Sequence, residues 1–409
     1  MPYTKDIEEI LTTEERQLVE KYVNDDILRV ALSLAGRSDV RAGLVLQQIE
    51  GRQRLRRKVP SWYAADGIMF PPRLSLEQCS SEATATYKRK VVERLLPDAV
   101  SMVDLTGGLG VDFSFLAKVF KTATYVERQP ELVHLARHNM PLLGVNNARF
   151  VEAEAEETLA EMPPADLIFL DPARRDGAGR KVVQLSDCSP NAETLMPRLL
   201  KKARLVLLKL SPMLDLQAAL RALASVAEVH VVAENGECKE LLIAAIPNAE
   251  QQPRIFCADG ESVFSFLPNE EHEANASFAS SIDRYLYEPN AAVMKAGAFK
   301  LAAKRFGLQK LHANSHLYTS PQIAADFPGR VFVVEKTYDY NRSGIRRFIE
   351  EFPLSAKGQK ARANVAVRNF PLQASALRDK LRLSDGGALY IFGTTIAPSQ
   401  RIIVVCRKA

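Results

Sequence analysis

The sequence predicts an α/β chain centred on a doubly wound sheet whose last strand runs antiparallel, with a helical domain before it and a small α/β domain after it. Three observations predict this. Residues 1–97 show helical periods and little strand character, and from residue 98 short β-branched runs alternate with helical segments. Strands separated by helices pair in parallel through right-handed crossovers. Finally, Asn235-Gly236 lies between the strand-like runs of AEVHVVAENGECKELLIAAI (227–246), with no room for a helix. An Asn-Gly between strand runs marks a hairpin, so the last two strands are antiparallel neighbours.

The elements follow in order. Thr12 and Thr13 precede Glu14, Glu15 and the apolar Leu18, Val19, Tyr22 and Val23, an N-cap followed by an i, i+3, i+4 stripe. Helical spacing continues over Ile27–Ile49 into GRQRLRRK (51–58), where five of eight residues are basic. This run reads either as a solvated helix end or as a nucleic-acid contact. SSEATATYKRKVVERLL (80–96) is another capped helix. Strands are expected at Ala99–Leu105, Thr122–Glu127, Ala148–Val151, Asp166–Leu170 and Arg204–Leu208, with helices near 111–119, 130–140, 154–161, 191–202 and 214–224.

Beyond the sheet domain (98–248), residues 249–329 are expected to hold an acidic linker with short structure, then helices near 281–285 and 291–306. Residues 330–409 alternate again: strand VFVVEK, helix 343–351, strand NVAVRNF, helix 373–382, strands ALYIFG and RIIVVCRK. This last segment holds 15 Lys/Arg against 6 Asp/Glu, 15 − 6 = +9, whereas the whole chain is only +5. Its basic character is hidden in the total.

With 409 residues, 47% hydrophobic and 25% charged, the composition excludes a largely disordered chain, a collagen-like fibre or a disulfide-stapled miniprotein. Five scattered cysteines without a CxxC argue against a cysteine zinc site. The charged start MPYTKDIEEILTTEER lacks the apolar core of a signal peptide, and no run approaches the ~18 apolar residues of a membrane span. A soluble, cytoplasmic protein without metal is expected, its oligomeric state left open.

Chemistry concentrates at the strand ends. Val103-Asp104-Leu105-Thr106-Gly107-Gly108-Leu109-Gly110-Val111-Asp112 joins the first strand to the first helix. Glycines let the backbone turn and approach a ligand, and N–H groups at the helix start can hold a carboxylate. A GxGxxG dinucleotide fingerprint would need glycine at 113, where Phe113 stands. Glu127 ends the second strand, where an acid accepts from ribose hydroxyls; Glu154 follows the third, where an acid can accept from an adenine amine; Asp171 closes ADLIFLDPARR. Ligands of open α/β sheets bind outside the carboxyl ends of the strands, so the four acids converge on one crevice.

As a set, DLTGGLG, Glu127, Glu154 and DPAR resemble the successive motifs of class I S-adenosylmethionine-dependent methyltransferases. The resemblance implies the seven-stranded methyltransferase sheet and S-adenosylmethionine as cofactor. It places the methionine moiety over Asp104 and Thr106–Gly110 (Thr106, Gly107, Gly108 and Gly110), the ribose on Glu127 with Arg128 beside it, and the adenine beside Glu154 and Ala155. Asp171 and Pro172 become the catalytic pair. SSEATATYK (80–88) and YLYEPNAAVMKAG (285–297) extend the likeness to bacterial class I methyltransferases with a THUMP-like C-terminal domain. Such domains are associated with RNA binding, which implies an RNA substrate, tRNA or rRNA, gripped by the basic run and the C-terminal domain.

Ala173 and Arg174 replace the second proline and the aromatic of the Asp/Asn-Pro-Pro-aromatic motif of amino-methyltransferases. DPAR also resembles RNA uridine-C5 methyltransferases, whose cysteine nucleophile follows the fifth strand; this chain has LLKLSP (207–212) there, and Cys188 lies before that strand. Arg174, Arg175, Arg180 and Lys181 suggest a basic rim, and Lys209 a crevice residue. An inactive cofactor- or RNA-binding protein and an NAD(P)-linked oxidoreductase are the alternative functions.

Overall fold

Thr12 caps the first described helix, Thr13–Tyr22: its hydroxyl accepts from Glu15 N at 3.2 Å, and the Glu15 carboxylate accepts from Thr12 N at 2.9 Å. The structure, a computed structural model, describes residues 11–174, 185–249, 252–352 and 360–409. Two compact units divide the chain: Met1–Val229 with Lys239–Gln252, and His230–Cys238 with Pro253–Ala409.

Strands β1 (Ser101–Asp104), β2 (Thr122–Glu127), β3 (Ala148–Glu152), β4 (Ala165–Leu170), β5 (Ala203–Leu210), β6 (Val226–Glu234) and β7 (Glu237–Ala245) stand in the order β6-β7-β5-β4-β1-β2-β3; β1–β5 and, from Lys239, β7 belong to the first unit, and β6 leaves it at His230. The neighbours from β5 to β3 are parallel, and β7 is antiparallel to β5. Asn235 (φ 55°) and Gly236 (φ 79°) close the terminal hairpin, both with positive φ as its tight turn requires. Burial on both faces explains the apolar runs ADLIFL and RLVLLKL. The N-terminal helices belong to this same unit, because Glu82–Leu95 buries Thr84, Ala85, Lys88, Val91 and Val92, and Trp62 Nε1 donates to Ser114 Oγ at 3.1 Å. The helical stretch expected over Ile27–Ile49 divides into Ile27–Leu34 and Ala42–Lys58.

The second unit corrects two expectations. The acidic stretch after 249 is not a linker: β8 (Arg254–Asp259) and β9 (Ser262–Phe266) pair antiparallel, with Ile255, Cys257, Phe264 and Phe266 buried, before the helix Pro268–Glu273. No helix forms at 281–285; β10 (Tyr285–Pro289) is an interior strand. It belongs to an eight-stranded sheet with β11 (Gln309–Lys310), β12 (Tyr318–Ser320), β13 (Gly329–Asp339), β14 (Arg362–Arg368), β15 (Ser384–Asp385), β16 (Leu389–Ile396) and β17 (Gln400–Lys408), ordered β11-β12-β10-β13-β17-β16-β14-β15. The sheet thus runs across the expected segment boundary at 329/330. Tyr338, Phe348, Leu377, Ile391 and Ile403 form one of its cores, and Leu286, Leu311, Leu317, Phe332, Phe392 and Val404 another.

Candidate functional site

β1 ends in Asp104, whose carboxylate accepts from Thr106 N at 2.9 Å and so starts the turn of the glycine loop. Gly107 N then donates to Val126 O at 2.8 Å, bringing the loop against β2. A Cβ on Gly107 would lie 2.1 Å from the Tyr125 ring, so this close approach requires glycine. Gly108 has φ +54°, a left-handed conformation, and a Cβ there would meet nothing nearer than 3.8 Å. The Tyr125 hydroxyl donates to Gly108 O, which pins the loop from below.

Glu127, at the end of β2, is buried and accepts from Gly108 N at 2.9 Å and Gln129 N at 3.0 Å. One carboxylate therefore fixes both the glycine loop and the start of the next helix, Pro130–Leu142. Thr106 Oγ1 accepts from Asp171 N at 2.6 Å and ties the end of β4 to the same loop. Glu154 and Arg128 stand 3.9 Å apart and half exposed, and Ala155 opens the helix Ala155–Glu161.

These residues line one crevice of about 590 Å³ at the carboxyl ends of the strands, within the ~300–1,000 Å³ usual for small-molecule sites. Every candidate site residue named above, from Asp104 to Pro172, lines it. Its open space beyond Gly108, the buried acid at the end of β2 and the half-exposed Glu154 fit an adenosyl cofactor.

The floor holds a buried charge network that sequence reasoning found only in part. Lys209, near the end of β5, lies 2.6 Å from Asp171 Oδ2 and 3.5 Å from Asp112 Oδ2. Lys88, fully buried, reaches Glu240 Oε1 at 2.6 Å and Asp112 Oδ1 at 3.1 Å, and Ser80 Oγ donates to Asp112 Oδ2 at 2.7 Å. Burial opposes the Asp112 charge, but Lys88 and Lys209 outweigh it and hold the carboxyl down at about 2. Asp104 goes the other way: burial, reinforced by Asp112, Asp171 and Glu127, pushes it well above the usual carboxylate range against the single Thr106 N–H. Lys209 is legible in the sequence as a crevice residue, whereas Lys88, Asp112, Ser80 and Glu240 come together only in the fold. A lysine on the buried stripe of Glu82–Leu95 was the available signal.

Arg175, Arg180 and Lys181 lie outside the described residues. Cys188 lines the crevice, on a short ribbon where Ala173 pairs with Ser189. In the basic run, Arg54 pairs with Glu50 at 2.9 Å, Arg56 donates to Asn24 Oδ1 at 2.9 Å, and Lys58 donates to the carbonyls of Leu76 and Glu77 at 3.0 and 2.9 Å. His138 Nε2 is engaged by Gly67 O at 2.8 Å. Among the described residues no group of His, Cys, Asp and Glu has the arrangement to hold a metal ion, and no helix is long and apolar enough to cross a membrane.

Comparison with known proteins agrees with this geometry. Residues 285–328 match a ferredoxin-like domain family and 329–408 a THUMP domain-like family. A provisionally assigned methyltransferase of Porphyromonas gingivalis W83, known from its crystal structure, matches with a TM-score of 0.84 at 36% identity, over 97% of this chain and 98% of that one. An uncharacterised S-adenosylmethionine-dependent methyltransferase of Mycobacterium tuberculosis is 23% identical, over 82% of this chain and 88% of its own length. The 23S rRNA (uracil(1939)-C(5))-methyltransferase RlmD of Klebsiella pneumoniae is 30% identical over 37% of this chain and 39% of its own. With its strand order, its antiparallel β7 and its full-length likeness to the Porphyromonas gingivalis protein, the chain belongs to the S-adenosylmethionine-dependent methyltransferases that carry a THUMP-like C-terminal domain.

Proposed function

We propose that this enzyme transfers a methyl group from S-adenosylmethionine to RNA by direct in-line displacement. The observation that carries the choice of RNA is the second unit's basic segment: the THUMP-like match at 329–408 coincides with the +9 balance (15 − 6) of residues 330–409. Basic surfaces supply the phosphate contacts that position nucleic acids. The likeness of part of the chain to an enzyme named for 23S rRNA supports the same substrate class.

In this reading the cofactor supplies an electrophilic methyl on a sulfonium cation. Asp104 shapes the loop that cradles its methionine end over Thr106, Gly107, Gly108 and Gly110. Glu127 keeps lone pairs beyond those used by Gly108 and Gln129, and these accept from the ribose diol. Arg128, Glu154 and Ala155 border the adenine. Acids outnumber lysines around the crevice floor, so these residues would hold a cationic ligand more tightly than a neutral one. Asp171, held by Lys209 and by Thr106 Oγ1, presents its carboxylate, with the backbone at Pro172, to an N–H or O–H of the acceptor. Catalysis comes chiefly from alignment of donor and acceptor. Lys209 stands in the segment where uridine-C5 enzymes carry their nucleophilic cysteine, so the chain offers no covalent nucleophile there.

The test is transfer of radiolabelled methyl groups to total RNA from a strain lacking the protein, followed by nucleoside analysis. Label in a single modified nucleoside supports the reading. Label confined to protein or small molecules rejects it.

A further inference from the structure

In the second unit, β14 and β16 run parallel, while the other neighbour of β16, β17, is antiparallel. The carboxyl ends of β14 and β16 therefore open at a change of sheet direction, a place where α/β sheets bind ligands. The loop from His312 to His316 is bonded to both ends. Ser315 Oγ donates to Thr395 O at 2.7 Å, and Asn369 Nδ2 donates to His312 Nδ1 at 3.1 Å. His312 Nδ1 also accepts from Asn314 N at 3.1 Å, which assigns the ring proton to Nε2 and leaves a donor on the far side.

Cations predominate here. Glu288, 3% exposed, is shared by Arg330, whose Nε lies 2.9 Å away, and Arg368, whose Nη2 lies 2.8 Å away. Lys310 is a third cation, only 4% exposed, and its ammonium donates to the Ala313 carbonyl at 3.2 Å. The carboxylate whose charge reaches it, Glu271, is bonded instead to the N–H groups of Lys300 and Leu301 at 3.0 and 2.7 Å. The Phe299 ring joins the group: His316 stacks on it at 3.7 Å, and Lys310 Nζ lies 5.7 Å from its centre. Four buried polar atoms of this cluster have no hydrogen-bond partner among the described residues: Arg368 Nε, His316 Nδ1, Thr394 Oγ1 and Glu288 Oε1, the last of which lies in the carboxylate paired with Arg368. Thr394 is the register partner of Arg368, so the two side chains share a face. Buried polar atoms are normally satisfied, and an unpaired guanidinium N–H beside surplus positive charge calls for an anion.

We propose that Lys310, His316 and Arg368, with the loop between His312 and His316, form a phosphate-binding site distinct from the cofactor crevice. Burial and the charges of Lys310 and Arg368 already hold His316 down at about 4, so the cluster resists a further positive charge and would be relieved by an oxyanion. Arg368, half exposed, and Asn369, exposed, keep the site open to solvent. The phosphate can belong to an RNA chain or be free in solution.

The test uses the full chain saturated with S-adenosylmethionine, so that the crevice is filled. Inorganic phosphate is titrated calorimetrically at constant ionic strength, against wild type, Lys310→Met, His316→Gln and Arg368→Gln. Wild type should bind phosphate, and each folded variant should bind about tenfold more weakly, the scale of one charge-assisted hydrogen bond. His316→Gln, which leaves Lys310 and Glu288 untouched, keeps the test decisive if another variant fails to fold. Two single-stranded RNA oligomers, with and without a 5′-phosphate, locate the source. Tighter binding of the phosphorylated oligomer identifies a terminal phosphate; equal binding, weakened alike by the variants, identifies a backbone phosphate; binding of inorganic phosphate alone identifies a free anion. No phosphate binding by wild type, or unchanged binding by His316→Gln, overturns the proposal. Because the readout is binding, failure of methyl transfer to RNA would leave it standing.

Discussion

In the crevice of the first unit, Lys88 and Lys209 stand among Asp112, Glu240 and Asp171, whereas in the second unit the Glu288 carboxylate is shared by Arg330 and Arg368, and Lys310 is a further buried cation. In the crevice, both lysines lie within ion-pair distance of carboxylates. In the second cluster, the buried donor Arg368 Nε remains without a partner among the described residues. The difference teaches what each site suits. An acid-rich crevice prefers a cationic ligand such as a sulfonium, and a cation-rich cluster with a spare guanidinium N–H prefers an oxyanion.

The largest effect that would sharpen this contrast is structural. Lys88→Met should destabilise the protein by about 3–5 kcal/mol, because Asp112 and Glu240 would be left buried beside the charge they lost; urea unfolding measures it. The pH dependence carries the same sign. With its carboxyl held at about 2, Asp112 contributes stability that is present above the ordinary carboxylate pKa and is lost as pH falls through about 2. In Lys88→Met that acid-side loss should begin at higher pH. An unchanged acid limb would mean that Lys88 is not what holds Asp112 charged.

Next in size is the reacting end. Asp171→Ala should cut turnover about 10²–10³-fold, the scale for removing one preorganised polar group, with little change in S-adenosylmethionine affinity. A loss confined to affinity would make Asp171 a cofactor ligand rather than an aligner of the acceptor.

A smaller effect tests the nucleotide side. Glu127→Gln should weaken S-adenosylmethionine about tenfold, since hydrogen bonds to a charged acceptor contribute ~1.5–3 kcal/mol. Its ties to Gly108 and Gln129 mean that Glu127→Ala would also loosen the loop, so the glutamine variant is the cleaner probe. The smallest effect is expected in the basic run. Arg54→Ala should leave RNA affinity nearly unchanged, because Arg54 is already paired with Glu50 and Glu77. A marked fall in anisotropy-measured affinity would restore that run as an RNA contact.

Local sequence carried much of the first unit. Thr122–Glu127 was expected at its observed bounds, and the glycine loop and strand-end acids were readable because adjacent residues build them. What escaped was assembled across the chain. Lys88 and Glu240 meet from 152 positions apart, and no local pattern joins them. The hairpin at 254–266 was masked by the polar residues around its alternating core positions, and the acids there have local duties: Glu270 accepts from Leu267 N at 2.7 Å, and Glu271 caps the helix Phe299–Phe306. Near 281–285, where a helix is expected, Tyr285 instead opens a strand whose pairing on both edges is tertiary.

The most direct test of the central claim is single-turnover transfer of labelled methyl from S-adenosylmethionine to RNA by wild type and Asp171→Ala side by side. The account predicts label in one RNA nucleoside with wild type, and its loss in a variant that still binds the cofactor. Equal transfer by both, or no RNA label from a wild type that binds S-adenosylmethionine, would contradict it.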